Sequence, residues 1–284
     1  MRNILIFDRH FAGKHSSTYG INLPLNFRWL NAEEQFGNPD YANIASKEIV
    51  VYTDHCLTWP DKIGKIKIGW LIEPEEYIPD LYQYIKENYD QFDYIFTWNK
   101  ELLFVDRRFI FLEPGNSWMK REDIQIYNKT KLTSMIASEK KFMAGHCFRR
   151  HIFERYSGYF DQYGRDTNPV NEISEAFKDY RFTVVVENTR QDYMFTEKLI
   201  TPLLCGTIPI YYGCPSIGKF FNMDGIITFT TEQRFNQIIT SLSDELYEKM
   251  LPAVEDNFHK ARKYQLLEDN LYIKLIQLKL IGNL

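Results

Sequence analysis

Residues 180–213 read YRFTVVVENTRQDYMFTEKLITPLLCGTIPIYYG and carry the clearest structural pattern of the chain. Its run of Val and Thr predicts a buried strand over residues 182–186, and the apolar pattern after Thr196 predicts a helix over residues 196–205. A further apolar run, Ile208–Tyr212, predicts the next strand. This order of strand, helix and strand is typical of a parallel sheet whose strands are joined by helical crossovers.

The same alternation extends along the whole chain in two series, separated by a polar passage at residues 115–131. In the first series, predicted strands cover residues 3–7, 48–53, 66–72, 93–97 and 109–112, and a predicted helix covers residues 79–89. Ahead of residue 180, the second series has a strand over residues 131–137 and a helix over residues 145–155.

Two such series predict an α/β protein with two Rossmann-like domains facing a cleft, closed by C-terminal helices. We expect domains at residues 1–125 and 126–264, followed at residues 265–284 by a helix that packs back toward the first domain. The aperiodic residues 9–45 are expected to form loops with one short helix at residues 25–34.

Composition excludes several classes of protein. The chain has 284 residues, 44% of them hydrophobic, and a formal net charge of -4, which disfavours disorder and a broad nucleic-acid-binding surface. The cysteines are few and lack CxxC spacing, so they predict neither a disulfide framework nor a zinc site. Residues 199–218 carry no charge, but their prolines and glycines argue against a membrane span. The N-terminus lacks the apolar core of a secretory signal, which predicts a cytoplasmic protein with at most peripheral membrane association.

Familiar ligand motifs are absent or incomplete. Residues 213–219 match the GxxxxGK part of a phosphate-binding loop, but Phe220 stands where Ser or Thr must hold magnesium. No GxGxxG follows a predicted strand, and the histidines form neither HxxxH nor HExxH. We therefore expect chemistry without a metal or a resident cofactor.

Polar residues cluster at the ends of the elements in residues 180–213. Glu187 and Asn188 end a predicted strand, and Glu197 and Lys198 open the helix that follows. Ligands bind open α/β sheets at the carboxyl ends of their strands, and a helix N-terminus favours anions. Arg149, near the start of the preceding helix, could grip a diphosphate. The same residues could equally be a helix cap and solvated surface.

These residues carry a family resemblance. The segments YRF, VENT and TEK, followed by GTIPIYYGCP, resemble in sequence and spacing the donor-binding half of the family-10 fucosyltransferases. The segment GHCFRRHIF resembles the family's helix with the donor-contacting arginine, which falls on Arg149. A weaker similarity in GWLIEPEE places the family's general base on Glu73, with Glu75 as the reserve. One departure is Met194, which replaces a tyrosine that shapes the sugar end of the donor site, with Tyr193 displaced by one.

The resemblance implies a GT-B fold and an inverting transfer of fucose from GDP-fucose to a hydroxyl of a glycan. Residues 1–125 would bind the acceptor and residues 126–264 the nucleotide sugar. The aromatic residues of the early loops, Phe27 and Trp29, are expected at the acceptor surface. The implied donor-binding residues are Arg149, Glu187, Asn188, Tyr193, Glu197 and Lys198. A transferase for another nucleotide sugar and a catalytically silent glycan- or nucleotide-binding protein stay open as alternatives.

Overall fold

The computed structural model describes residues 4–9, 27–31 and 39–281 of the chain. The contacts divide the chain into two compact units. The first comprises residues 1–113 together with residues 268–284, and the second comprises residues 114–267. Within the described ranges, no helix is long and apolar enough to cross a membrane.

The first unit is built on a parallel six-stranded sheet with the order β2-β1-β3-β4-β5-β6. Its strands are β1 (Ile4–Asp8), β2 (Phe27–Asn31), β3 (Ile49–Thr53), β4 (Ile66–Trp70), β5 (Tyr94–Thr97) and β6 (Phe109–Phe111). Its helices are α1 (Pro39–Ala45), α2 (Pro79–Asn88) and the late helix that we number α7 (Leu267–Gln277).

The prediction of a short helix at residues 25–34 is wrong. Phe27–Asn31 is strand β2, which pairs with β1, and the helix of this region is Pro39–Ala45. Phe27 and Trp29 are buried on alternate positions of the strand, and the Trp29 indole Nε1 donates to Glu268 Oε1 at 2.8 Å. Their burial also contradicts the expectation that these two rings form an acceptor surface. Residues 10–26 and 32–38 of the same prediction lie outside the described residues.

The second unit has a parallel five-stranded sheet with the order β11-β10-β9-β7-β8. Its strands are β7 (Lys131–Ile136), β8 (Asp161–Tyr163), β9 (Tyr180–Val186), β10 (Ile208–Tyr212) and β11 (Ile227–Thr228). Its helices are α3 (Ala144–Arg155), α4 (Glu197–Leu203), α5 (Glu232–Ile239) and α6 (Asp244–Ala261). Val184 and Val186 pack in one buried cluster and Val185 in another, so both faces of β9 are covered. Burial on both faces explains its unbroken apolar run.

Both sheets share one topology. In each, the second strand lies on one side of the first and the third strand lies on the other, so the direction of winding reverses between the first and third strands. Such a switch point is where open α/β sheets bind ligands, at the carboxyl ends of the strands. In the first unit it falls between β1 and β3, and in the second between β7 and β9.

The contacts separate the units at residue 113, earlier in the chain than the predicted boundary at residue 125. Met119 lies in the buried cluster of the second unit, where the Cys205 thiol is 3.5 Å from its sulfur. The polar passage thus belongs to the second unit because its one buried methionine packs there.

Candidate active site

The centre of the second unit's site is Glu187, the first residue after β9. Its carboxylate is fully buried and accepts two hydrogen bonds from Thr196, from the backbone N–H at 2.9 Å and from the hydroxyl at 2.7 Å. Thr196 is the N-cap of α4, and its Oγ1 accepts from the Lys198 N–H at 3.3 Å. Burial raises the pKa of Glu187, while the Lys198 charge opposes that rise. The end of β9 is therefore tied to the start of α4.

Two cations lie beside this carboxylate. Arg149 of α3 is 5% exposed, and its Nη1 donates to the Val186 carbonyl at 2.7 Å and to Asn188 Oδ1 at 3.2 Å. Lys198 Nζ lies 2.8 Å from Glu197 Oε1. Burial disfavours the Lys198 charge, but the carboxylates of Glu197 and Glu187 outweigh it and raise the pKa of Lys198. Both groups are thus held as cations at the carboxyl end of a strand, where an anion can be bound.

Two glycines permit the close packing of this site. A Cβ on Gly145 would lie 2.2 Å from the Glu187 carbonyl oxygen, and the Gly145 N–H donates to the Asn188 carbonyl at 3.1 Å. A Cβ on Gly213 would lie 2.6 Å from Glu187 Cγ. The first turn of α3 and the loop after β10 can therefore approach Glu187 only without side chains at these positions.

Sequence reasoning missed His146 and Trp118. His146 is 3% exposed, and its Nδ1 has no hydrogen-bond partner among the described residues. Burial, followed by the charges of Arg149 and Lys198, lowers its pKa to about 4. Trp118 donates a hydrogen bond to Glu197. His146 lies three residues before Arg149, hence on the same helix face, which could have identified it; Trp118 stands in the polar passage and had no such signal.

Tyr193 has different neighbours from the other predicted donor-site residues. Its backbone φ is +65°, its N–H donates to Ser216 Oγ at 2.9 Å, and its hydroxyl accepts from Lys219 Nζ at 2.6 Å. Met194, the next residue, is buried. Lys219, the lysine of the incomplete GxxxxGK motif, therefore contacts this tyrosine.

The first unit carries its own polar cluster at strand ends. Asp54 directly follows β3, is 7% exposed, and accepts from the backbone N–H groups of Ile72 at 2.8 Å and Glu73 at 3.3 Å. Burial raises the pKa of Asp54 to about 8. The Thr53 hydroxyl also donates to Asp8 at the end of β1. Sequence reasoning missed Asp54, although it follows a buried strand just as Glu187 does.

The two predicted bases differ in their surroundings. Glu73, whose backbone N–H donates to Asp54, is partly exposed. Glu75 forms an ion pair with Lys86 at 3.1 Å. Across the residues that the structure describes, no group of three or more His, Cys, Asp or Glu could hold a metal ion.

Sequence comparison finds relatives for part of the chain. An α-(1,3)-fucosyltransferase of Helicobacter pylori is 32% identical over 106 residues, which are 34% of this chain and 22% of that protein. A putative fucosyltransferase of Acanthamoeba polyphaga mimivirus is 33% identical over 87 residues, 28% of this chain and 14% of that protein. The matches thus span less than a quarter of the length of either relative. No protein-family model matches the chain.

Structure comparison covers nearly the whole chain. A crystal structure of an α1,3-fucosyltransferase with GDP has a TM-score of 0.55 at 15% identity, over 94% of this chain and 90% of that one. An α-glucosyltransferase in complex with UDP and DNA has a TM-score of 0.57 at 10% identity, over 98% and 100% of the two chains. These similarities confirm the predicted GT-B fold. In sequence over about a third of its length, and in fold over nearly all of it, the chain is similar to the α-1,3-fucosyltransferases, as its motifs predict.

Proposed function

We propose that this protein is an inverting glycosyltransferase that transfers fucose from GDP-fucose to a hydroxyl of a glycan, without a metal ion. The observation that carries the proposal is that two cations, Arg149 and Lys198, lie together at the carboxyl end of β9, at the switch point of the second sheet. The sequence relatives named as fucosyltransferases and the solved α1,3-fucosyltransferases bound to GDP or GDP-fucose support the choice of donor.

The second unit would bind the donor. Arg149 and Lys198 supply positive charge for the diphosphate as it departs, which an active site needs where charge develops in the transition state. Glu187 and Asn188 act mainly on these cations and their helices, because Glu187 bonds to Thr196 and Asn188 bonds to Arg149. Glu197, which holds Lys198 and accepts from Trp118, would orient the sugar or the ribose.

The first unit would supply the base, Glu73. In a single displacement, the carboxylate takes the proton of the acceptor hydroxyl while that oxygen bonds to the anomeric carbon. The bond from this carbon to the phosphate oxygen breaks in the same step, and GDP departs with the electron pair. Glu73 is chosen over Glu75 because the similarity in GWLIEPEE places the family's general base on it.

The surroundings of Tyr193 favour one alternative, transfer of a different sugar from its nucleotide. Met194 is buried where the family has a tyrosine, and Tyr193 instead contacts Ser216 and Lys219. A pocket shaped by these residues would present a different surface to the sugar. Arg149 and Lys198 would meet the diphosphate in both versions of the proposal.

The test is a panel of GDP- and UDP-sugars offered to the purified protein with mixed glycan acceptors. We expect GDP to raise the melting temperature and GDP-fucose to be consumed when an acceptor is present. Stabilisation by UDP but not by GDP would contradict the fucosyl donor. Binding of GDP with no turnover of any sugar nucleotide would instead indicate a silent binding protein. Chelation by EDTA should leave the transfer rate unchanged.

A further inference from the structure

One short segment of the first unit is held entirely by side chains. The segment is Ile72 and Glu73, just beyond β4, and Asp54 accepts both of its N–H groups, at 2.8 and 3.3 Å. The Tyr82 hydroxyl of α2 donates to the Glu73 carbonyl at 3.0 Å. The Trp98 indole, just after β5, donates to the Ile72 carbonyl at 3.0 Å. Every backbone polar group of these two residues is thus bonded to a side chain.

These hydrogen bonds fix the direction in which the Glu73 side chain leaves the backbone. Loops are more often satisfied by water or by their own backbone, whose bonds can rearrange with little cost. Here the bonds come from Asp54, Tyr82 and Trp98, which stand on separate elements and are all buried. The peptide of Glu73 can turn only if several of these bonds break together.

Asp54 itself is unusual in its backbone and its surroundings. Its φ is +32°, a conformation that few residues other than glycine adopt and that aspartate tolerates best after asparagine. The charged and titratable groups that face it are the carboxyls of Asp8 and Glu73 and the Tyr82 hydroxyl. Both carboxyl oxygens are engaged by backbone N–H groups, so Asp54 is poorly placed to meet a substrate itself.

We propose that Asp54 is a positioning residue, which holds the backbone of Glu73 so that its carboxylate faces the acceptor hydroxyl. The inference rests on the proposed role of Glu73 as the base. Burial raises the pKa of Asp54 to about 8, so at neutral pH it bonds the two N–H groups as an uncharged acid. An uncharged Asp54 adds no negative charge beside the carboxylate of Glu73.

The first arm of the test measures the anchor without any assay of activity. Asp54→Gly removes the carboxyl and suits the positive φ, so it should speed amide hydrogen exchange at residues 72 and 73 by at least about tenfold. The matched control is Asp93→Asn, because Asp93 accepts the Lys67 N–H at 2.7 Å in the same unit, at the other end of β4. Unchanged exchange at residues 72 and 73 in Asp54→Gly overturns the proposal.

The second arm measures catalysis. Asp54→Gly should lower kcat about 100-fold, the cost of a misplaced catalytic group, with the KM for the donor unchanged. Asp54→Asn keeps an acceptor oxygen and tolerates the backbone, so it should recover most of that loss at pH 7, and its rate should depart from that of the natural protein above pH 8. An Asp54→Asn rate as low as that of Asp54→Gly at pH 7 overturns the proposal.

The two arms separate this inference from the proposed function. If the natural protein transfers no sugar, the proposed function fails, and the exchange rates still decide whether Asp54 holds the segment. If Asp54→Gly does not fold, the Asp54→Asn pH profile decides alone. An Asp54→Asn rate that is near the natural rate at pH 7 and differs from it above pH 8 supports the positioning role. A low Asp54→Asn rate across the whole pH range contradicts it.

Discussion

Asp54 and Glu187 occupy the same place in two sheets of the same topology, and their surroundings are opposite. Each is a buried carboxyl directly after the third strand of its unit, and burial raises the pKa of each. Glu187 faces the cations of Lys198 and Arg149 as well as the carboxyl of Glu197, whereas Asp54 faces the carboxyls of Glu73 and Asp8. One fold position thus yields two kinds of site, one suited to hold an anion and one suited to keep a carboxylate basic.

The charge around each position explains this difference. A cation near a carboxylate favours its ionised form and weakens it as a proton acceptor, but gathers positive charge for a phosphate. A site whose neighbouring groups are carboxyls repels a diphosphate, and at Asp54 these carboxyls add to the rise in pKa that burial causes. The comparison therefore predicts that proton transfer depends on the first unit and nucleotide affinity on the second, and that substitutions can separate them.

The largest effect is expected at Glu73. Glu73→Gln should lower kcat by about 10²–10⁴-fold, because it removes the general base while keeping the size of the side chain. The affinity for GDP, measured by calorimetry, should hardly change. The control is Glu76→Gln, an exposed neighbour in the same glutamate cluster, which should retain its turnover. Full turnover of Glu73→Gln would remove Glu73 as the base.

A smaller effect, on nucleotide affinity, is expected at the two cations. Arg149→Ala and Lys198→Ala should each weaken GDP binding by about 10–100-fold, the range for a hydrogen bond to a charged group. Arg150→Ala is the matched control, since Arg150 pairs with Glu154 on the same helix and lies outside the site. Equal losses for Arg149→Ala and Arg150→Ala, measured by isothermal titration calorimetry, would contradict the assignment.

The close approach of α3 to Glu187 predicts a third effect. Gly145→Ala should lower the melting temperature by several degrees, since its Cβ would overlap the Glu187 and Asn188 carbonyls and overpacking costs about 1–3 kcal/mol. GDP affinity should fall as well, because the helix that carries Arg149 must shift. Gly158→Ala is the control, as a Cβ there meets no atom within 4 Å. If Gly145→Ala melts at the same temperature as the natural protein, the packing around Gly145 is looser than the distances indicate.

The remaining effects concern pH, and they have opposite signs in the two units. The Asp54 pKa rises on folding from 3.8 to about 8, so its contribution to stability is full below pH 3.8 and is lost as the pH rises to 8. The His146 pKa falls from 6.5 to about 4, so its contribution is full above pH 6.5 and is lost as the pH falls to 4.

Melting temperatures measured across pH can separate these two groups. The difference in melting temperature between Asp54→Asn and the natural protein should be a few degrees more favourable to the variant at pH 8 than at pH 4.5, because asparagine cannot ionise. The melting temperature of His146→Gln, measured against that of the natural protein, should be higher at pH 4.5 than at pH 7, because glutamine takes up no proton. Curves that stay parallel to that of the natural protein would show that neither group changes its proton affinity on folding.

The candidate site was predictable from the sequence where adjacent residues carry it. Glu187, Asn188, Glu197 and Lys198 stand at a strand end and a helix start that the sequence pattern locates. Asp54 stands at an equivalent strand end, but residues 55–60 after it, HCLTWP, contain no Asp, Glu, Lys or Arg that would indicate a site. Its importance comes from N–H groups far along the chain, which only the pairing of β3 with β4 brings near.

The class of the fold follows from the amino-acid sequence alone. Its apolar runs, spaced by helical patterns, specify parallel strands because both faces of each sheet must be covered. The tertiary structure decided the rest, because burial and charge depend on neighbours from distant segments. It made Phe27–Asn31 a strand beside β1, buried His146 between cations and placed Asp54 under the backbone of Glu73. Those neighbours, and not the residue types, set which buried carboxyl lies beside cations and which one lies beside other carboxyls.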